Sequence, residues 1–258
     1  MRGRSGRRKS LSKYVTVIAD RSTKAAGFSM GSMTVESRPT MTWQVLDLGL
    51  RPFAAVLRQQ EELVGQRLLG TVPDTLILVE HPPVVTLGRA KQRGNLRLDP
   101  EALQARAIEY FEITRGGDVT YHAPGQLVGY PIFDLRQHGR DVLRFCRGME
   151  AALIAALGDF GIAAGAVPGK AGVWVGEKKI ASLGISVRRW VTFHGFALNV
   201  NTDLAGFEVI RPCGEDPDVM TSMAAILRSP VSMNEVRRRV TVRFAETFSL
   251  AEGVALSR

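Results

Sequence analysis

Hydrophobic residues recur from residue 42 onward in two patterns, one typical of strands and one typical of helices. Short, mostly apolar runs predict strands at 42–50, 75–80, 84–88, 108–114, 127–135, 172–175, 179–188 and 191–201. Apolar residues at helical spacing, bounded by capping or breaking residues, predict helices at 52–69, 101–107, 141–160, 220–227 and 232–248. Strands outnumber helices and do not alternate regularly with them, so we expect an α+β fold with a mixed β-sheet and flanking helices.

Residues 1–40 lack durable periodicity and are rich in Arg, Ser, Gly and Thr. This composition predicts a disordered basic extension, followed by a single domain over residues 41–258. Three explanations of the extension stay open. Translation starts later, at Met30, Met33 or Met41; the segment is a targeting sequence; or it is a basic arm that contacts an acidic partner.

The net charge of +9 is concentrated in this extension. Residues 1–40 contribute +7, and residues 41–258 contribute +2. The predicted domain is therefore nearly neutral, and it has no basic stripe with interleaved aromatic residues, which argues against nucleic-acid binding. No apolar run approaches the roughly 20 residues that span a bilayer, so we expect no membrane association.

The chain has two cysteines, which cannot build a disulfide framework and point to a reducing compartment such as the cytoplasm. Cys146 lies within an apolar helical pattern and is expected to be a core residue. Cys213 lies between Pro212 and Gly214, both of which restrict or shape the backbone. This setting suits either a nucleophile aimed by its turn or a small buried hydrophobe.

A nucleophilic thiol needs a neighbour that favours the thiolate or takes its proton. The residues that offer such a group are His81, His122, His138, His194, Lys170, Lys178 and Lys179. Lys179 begins the apolar strand 179–185, which draws its aliphatic stem toward the core and makes a desolvated lysine possible. The alternative is a hairpin lysine whose head reaches water. His138 lies in a polar segment and is expected to be solvated.

The segment 115–126 contains three glycines and a proline where a strand would otherwise continue. Such backbone allows a ligand to approach closely, although a hairpin turn with a bulge explains it equally well. The segment has neither the P-loop pattern nor the dinucleotide fingerprint. No His or Cys residues fall at zinc-ligand spacing. We therefore expect no metal and no bound cofactor.

Four stretches together resemble the lipoyl(octanoyl) transferase family, in its order and with compatible spacing over residues 42 to about 250. The stretches are His81-Pro82 through Gly88-Arg89; Arg115-Gly116-Gly117 through His122 and Pro124-Gly125-Gln126; Gly172-Val173-Trp174-Val175 with 176–184; and His194-Gly195-Phe196-Ala197-Leu198-Asn199 leading to Pro212-Cys213-Gly214. Ala123 departs from the family pattern, which usually has Gly there. Its methyl group is expected to narrow the pocket or stiffen the loop without abolishing the chemistry.

The resemblance implies the catalytic-domain fold of lipoate ligases and biotin protein ligases. It implies an acyltransferase in which Cys213 carries the acyl group as a thioester and Lys179 lowers the pKa of that cysteine. It also implies an acyl pocket lined by Arg115, Gly116, Gly117, Asp118, Val119, Thr120, Tyr121, His122, Ser182, Leu183, Gly184, Gly195, Phe196 and Ala197. The oxyanion donors stay open between backbone amides near Cys213 and the side chains of His81 and His122.

The implied reaction moves an octanoyl group from octanoyl-acyl carrier protein to a lysine of lipoyl domains, the first step of endogenous protein lipoylation. The implied acceptors are the lipoyl domains of 2-oxoacid dehydrogenase E2 subunits and the glycine cleavage H protein. One alternative is an ATP-dependent lipoate or biotin protein ligase of the same fold, against which the Pro-Cys-Gly turn argues. A remote alternative is a non-catalytic nucleic-acid binder that uses the basic extension.

Overall fold

A computed structural model describes residues 15–18, 42–90, 92–251 and 256–257, with the backbone alone at residues 15–18, 93, 213 and 256–257. The strands are β1 Val15–Ile18, β2 Trp43–Leu50, β3 Asp74–Glu80, β4 Val84–Leu87, β5 Glu109–Glu112, β6 Val119–His122, β7 Gln126–Ile132, β8 Val173–Val175, β9 Lys178–Arg188, β10 Val191–Asn199 and β11 Leu256–Ser257. The α-helices are α1 Phe53–Leu69, α2 Pro100–Ala105, α3 Val142–Gly158, α4 Met223–Leu227 and α5 Met233–Phe248. Short 3-10 turns span Arg93–Asn95, Leu204–Val209, Pro212–Gly214 and Pro217–Val219.

The strands form two sheets that mix parallel and antiparallel neighbours. The larger sheet has the order β1-β9-β10-β7-β3-β2-β11, and β8 pairs with β9 beside β1. Its central pairs β9–β10, β10–β7 and β7–β3 are antiparallel, whereas β2 and β3 are parallel. The smaller sheet has the order β5-β4-β6. The predicted α+β fold with a mixed sheet and flanking helices is thus confirmed.

Helices cover both faces of the larger sheet, which explains why its central strands read as continuous apolar runs. In β3, Leu76 faces the core formed with α3 and α5, and the next residue, Ile77, faces the core formed with α1. A third cluster joins the smaller sheet to the turn Leu204–Val209. In the described part of the chain, no helix is long and apolar enough to cross a membrane.

Local signals set the ends of the helices. Ser232 caps α5, and its hydroxyl accepts the N–H of Glu235. Gly70 ends α1 with a left-handed backbone at φ 75°. The helix predicted from residue 220 begins only at Met223, because Ser222 accepts the N–H of Ala225 and so sets the start of α4.

The segment Val15–Ile18, inside the range predicted to be disordered, forms β1 and pairs in parallel with Ile185–Arg188 of β9. The other residues of 1–40 lie outside the described part of the chain. The prediction for His138 is wrong. Its side chain is buried, and its Nε2 lies 2.6 Å from Oδ2 of Asp74, whose other oxygen accepts a hydrogen bond from Arg67. The imidazole contacts a carboxylate that lies 64 residues away in sequence. The polar residues next to His138 in the sequence therefore wrongly indicated a solvated side chain.

Candidate active site

A narrow cleft lies where the hairpin of β9 and β10 meets the segment 115–122 and the turn Pro212–Gly214. Every residue predicted to line the acyl pocket does line this cleft, except Gly116 and Tyr121. The register of the hairpin explains part of this result, because Gly184 pairs with Gly195 and Ser182 pairs with Ala197. The segments 182–184 and 195–197 therefore lie side by side in one wall of the cleft.

Tyr121 and Gly116 do not line the cleft, because each makes a different contact. Tyr121 lies outside the cleft, because its ring packs edge-on against Phe207 at 5.5 Å in the core cluster of the smaller sheet. Gly116 instead attaches the loop to the sheet, since its N–H donates to the carbonyl of Ile185 at 3.0 Å. A β-carbon on Gly184 would lie 2.6 Å from the carbonyl oxygen of Gly116, so glycine is needed at residue 184 for this approach.

Ala123 does not line the cleft either. It is 5% exposed and belongs to the core cluster of the smaller sheet. The expectation that its methyl group narrows the pocket is therefore wrong, because the side chain points to the opposite side of the strand end.

Arg115 is a cation fixed within the wall of the cleft. Its Nη2 donates to the carbonyl of Thr86 at 2.8 Å, and its Nη1 donates to the carbonyl of Gly116 at 3.0 Å. Its side chain also bonds to the hydroxyl of Thr86. These bonds hold the guanidinium in place, so Arg115 shapes the loop and adds positive charge beside the cleft.

Lys179 lies at the start of β9 and is 4% exposed. Its Nζ is 5.6 Å from the centre of the Trp174 ring, and its carbonyl accepts the N–H of Thr221 at 2.9 Å. Gly172 makes room for it, because a β-carbon there would lie 2.6 Å from Cε of Lys179. The sequence left open whether this lysine is buried or solvated, and the fold buries it.

The backbone that carries Cys213 forms the 3-10 turn Pro212–Gly214, against which β6 packs. The turn is held in place by the N–H of Arg211, which donates to the carbonyl of Asn95 at 2.7 Å. Gly214 has a φ of +81°, a conformation that favours glycine. Pro212 and Lys179 line the same cleft. The fold therefore brings the cysteine-bearing turn and the lysine to the wall of the same cleft.

His81 is fully buried, and its hydrogen bonds define which nitrogen carries the hydrogen. Nδ1 lies 2.8 Å from the carbonyl of Arg51, which can only accept, so Nδ1 is the donor. Nε2 then accepts from the hydroxyl of Tyr130, also at 2.8 Å. Burial lowers the pKa of His81 to about 4, so the imidazole is neutral at pH 7.

His122 is held by a chain of amide groups. Asn199 donates its Nδ2 hydrogen to the carbonyl of Thr221 at 2.9 Å, so its Oδ1 must accept from Nε2 of Gln126. Oε1 of Gln126 is then left to accept from Nδ1 of His122 at 2.7 Å. Burial, with a smaller contribution from His81, lowers the pKa of His122 to about 3. Its Nε2 therefore carries a lone pair and no hydrogen.

These bonds decide between the oxyanion donors that the sequence left open. Both ring hydrogens, on His81 and on His122, are already donated to other groups. Neither imidazole has a hydrogen to offer an oxyanion in the cleft, so backbone amides near Cys213 are the better candidates.

The catalytic-domain model of lipoyl protein ligases A and B matches residues 52–245. The chain belongs to this family. It is 52% identical over 201 residues to the octanoyltransferase of Solibacter usitatus (strain Ellin6076), an alignment that covers 78% of this chain and 90% of the relative. The chain is accordingly an enzyme of the octanoyltransferase family, an acyltransferase, which confirms the family resemblance drawn from its motifs.

Solved structures agree on the fold. Lipoate-protein ligase A bound with ATP superposes with a TM-score of 0.66 at 20% identity, covering 84% of this chain and 90% of that one. A biotin protein ligase from Aquifex aeolicus superposes with a TM-score of 0.50 at 15% identity, covering 81% and 70% respectively. The octanoyltransferase chain therefore has the predicted ligase-like catalytic fold.

Several residues that line the cleft of this octanoyltransferase family member were not predicted to line it. They are Phe53, Ile113, Val128, Tyr130 and His194. Phe53, Ile113 and Val128 look like ordinary core residues of a helix, a strand end and a strand. His194 was considered only as a possible neighbour of the thiol, and its unusual backbone is visible only in the structure.

Proposed function

We propose that this acyltransferase moves an octanoyl group from octanoyl-acyl carrier protein to a lysine of lipoyl domains, through a thioester on Cys213. The observation that carries the proposal is that Lys179 and the Pro212–Gly214 turn both lie in the wall of one largely apolar cleft. An eight-carbon chain needs apolar walls, which residues such as Phe53 and Leu183 supply.

In the first half-reaction, the thiolate of Cys213 attacks the thioester carbonyl of the carrier. A new carbon–sulfur bond forms, the bond to the carrier's sulfur breaks, and the departing thiolate takes up a proton. Lys179 is the group beside the turn that stabilises the thiolate of Cys213 and delivers this proton. One thioester replaces another, so the step needs no nucleotide to drive it.

In the second half-reaction, the amine of the acceptor lysine attacks the acyl-enzyme. An amide bond forms, the thiolate of Cys213 leaves, and one proton leaves the nitrogen. Lys179, neutral after the first step, accepts that proton and so returns to its starting state. Formation of an amide from a thioester is downhill, which makes the overall transfer irreversible in practice.

The proposed acceptors are the lipoyl domains of 2-oxoacid dehydrogenase E2 subunits and the glycine cleavage H protein. Nucleic acid and membranes have no role in this reaction. Because the thiol must stay reduced, we place the enzyme in a reducing compartment, the cytoplasm.

The decisive experiment is mass spectrometry of the protein after incubation with octanoyl-acyl carrier protein. We expect one octanoyl adduct on the peptide that contains Cys213, and its loss when apo lipoyl domain is added. Cys213→Ala should show no adduct, whereas Cys146→Ala, which changes a buried core thiol, should keep it. An adduct that forms only with ATP, Mg²⁺ and free octanoate would identify a ligase instead.

A further inference from the structure

Asp118 contributes a buried carboxylate to the wall of the cleft. Its Oδ1 accepts the N–H of Gln92 at 3.0 Å, and its Oδ2 accepts a hydrogen from Nδ2 of Asn95. Both oxygens are therefore bound to the segment 92–95. An apolar acyl chain gains nothing from a buried charge, because a charge removed from water needs polar partners. These bonds give Asp118 a task other than contact with the acyl chain.

Asn95 connects Asp118 to the turn that carries Cys213. Its carbonyl accepts the N–H of Arg211, the residue before Pro212, at 2.7 Å. Its side-chain amide lies beside the other end of the same turn, since a β-carbon on Gly214 would be 3.8 Å from both Nδ2 and Oδ1. Asn95 therefore lies beside both ends of the segment that contains the proposed nucleophile.

The side chain of Asn95 has a defined orientation. Its Nδ2 also donates to Oε1 of Gln92 at 3.1 Å, so both amide hydrogens have acceptors. A carboxylate is a stronger acceptor than a neutral amide, and Asp118 is buried whereas Gln92 is exposed. The bond to Asp118 is therefore the one that fixes the position of Asn95.

The chain on each side of this bond is itself anchored. The carbonyl of Asp118 accepts the N–H of Gly88 at 2.7 Å, which attaches residue 118 to the end of β4. Just beyond Asn95, the N–H of Arg97 donates to the carbonyl of Val209 at 3.0 Å, in the segment that leads to the cysteine-bearing turn. The position of Asp118 is thus transmitted to the turn through a short series of hydrogen bonds.

We propose that Asp118 is a positioning residue for Cys213: by holding Asn95, its carboxylate keeps the turn Pro212–Gly214 in the wall of the cleft that Lys179 also lines. A displacement of about 1 Å at a reacting group can cost about 100-fold in rate, so such support has a large effect on acyl transfer. The inference rests on the proposed function, because that function makes Cys213 the nucleophile.

The test exchanges the two partners of the bond. Asn95→Asp brings two carboxylates together, and Asp118→Asn leaves one of the two donors, at residue 92 or 95, without an acceptor. The measured quantity is the maximal single-turnover rate at which octanoyl-acyl carrier protein forms an adduct on the Cys213 peptide. We expect each single variant to lower this rate by about 10- to 100-fold and to change the half-saturating donor concentration by less than about threefold.

The double variant Asn95→Asp/Asp118→Asn distinguishes the bond from the two residues. Its amide at residue 118 can donate to the carboxylate at residue 95 and accept the N–H of Gln92. The bond is thereby restored in the reverse direction with the same net charge, so the rate should recover to within about threefold of wild type. A general loss of stability would not be repaired by this exchange.

Asp141→Ala is the matched control. The carboxylate of Asp141 also accepts a backbone N–H, that of Arg144 at 3.0 Å, but it caps α3, which contributes no residue to the cleft. Loss of this cap should lower the thermal midpoint of unfolding and leave the rate of adduct formation within about twofold of wild type.

Single variants that form the adduct at the wild-type rate, or a double variant that stays as slow as they are, overturn the positioning role. An unchanged maximal rate with a raised half-saturating concentration also overturns it, because that result indicates contact with the donor. If Asn95→Asp does not fold, Asn95→Ala removes the same bond without opposing two charges, and a wild-type rate in that variant is equally decisive. Absence of any adduct on wild-type protein would instead contradict the proposed function.

Discussion

Nδ1 of His122 donates to Oε1 of Gln126 over 2.7 Å, and this bond is the last of a chain of amide hydrogen bonds whose direction is set by the carbonyl of Thr221. The chain continues through Asn199 to the carbonyl of Thr221, whose own N–H donates to the carbonyl of Lys179. The orientation of an imidazole in the cleft is thus connected to the backbone of the proposed catalytic lysine.

Replacement of Gln126 by Leu should destabilise the protein by about 1–3 kcal/mol, because it leaves buried hydrogen-bonding groups of His122 and Asn199 unpaired. Urea denaturation at pH 7 measures this free energy of unfolding. The control Gln104→Leu changes an exposed glutamine of α2 and should stay within about 0.5 kcal/mol of wild type. Equal effects of the two substitutions would show that the amide chain adds no stability.

Replacement of Gly172 by Ala should disturb β9 and displace Lys179, because the new β-carbon would overlap the carbonyl oxygen of Ala181 and would lie 2.6 Å from Cε of Lys179. A misplaced catalytic group typically costs about 100-fold in rate, so we expect a fall in kcat of roughly that size. Gly169→Ala is the matched control. Gly169 also has a positive φ, +79°, but a β-carbon there would meet nothing within 4 Å. Similar kcat values for the two variants would argue that Lys179 needs no such space.

Replacement of Gly184 by Ala should push the loop 115–118 away from β9, since the new β-carbon would lie 2.6 Å from the carbonyl oxygen of Gly116. We expect a loss of about 1–3 kcal/mol in the free energy of unfolding and a higher KM for the octanoyl donor. Gly165→Ala, where a β-carbon meets nothing within 4 Å, is the control. An unchanged KM in Gly184→Ala would contradict a role for this loop in forming the cleft.

The stability of the protein should depend on pH through three buried histidines. Burial lowers the pKa of His81 to about 4, and that of His122 and of His194 to about 3, against an ordinary value of 6.5. Below pH 6.5 the unfolded chain binds more protons at these residues than the folded one, so the free energy of unfolding falls as pH decreases. The expected slope reaches about 1.4 kcal/mol per pH unit for each histidine between pH 6.5 and the folded-state values.

Urea denaturation at pH 7.5, 6.5 and 5.5 tests this pH dependence. The free energy of unfolding should be nearly constant above pH 7 and should decrease below it. His194→Asn removes one of the three groups and should reduce the slope. A stability that rises on acidification over this interval would show that these imidazoles are charged in the folded protein.

The sequence alone determined the order and type of the main elements and the family of the domain. Both depend on short-range information. Apolar runs such as 75–80 specify a strand buried on both faces, and capping residues such as Ser232 specify a helix start. The motifs around Lys179 and Cys213 lie in fixed order along the chain, so reading them needs no knowledge of the fold.

Tertiary structure decided what each polar side chain does. Asp74 binds the side chain of His138, Phe207 packs against the ring of Tyr121 outside the cleft, and the side chain of Gln60 accepts the N–H of His194, which has a left-handed backbone. In each case the partner is distant in sequence or the outcome depends on a single backbone angle. Burial and hydrogen bonding of a polar group depend on its complete surroundings, and a linear pattern of residues does not contain them.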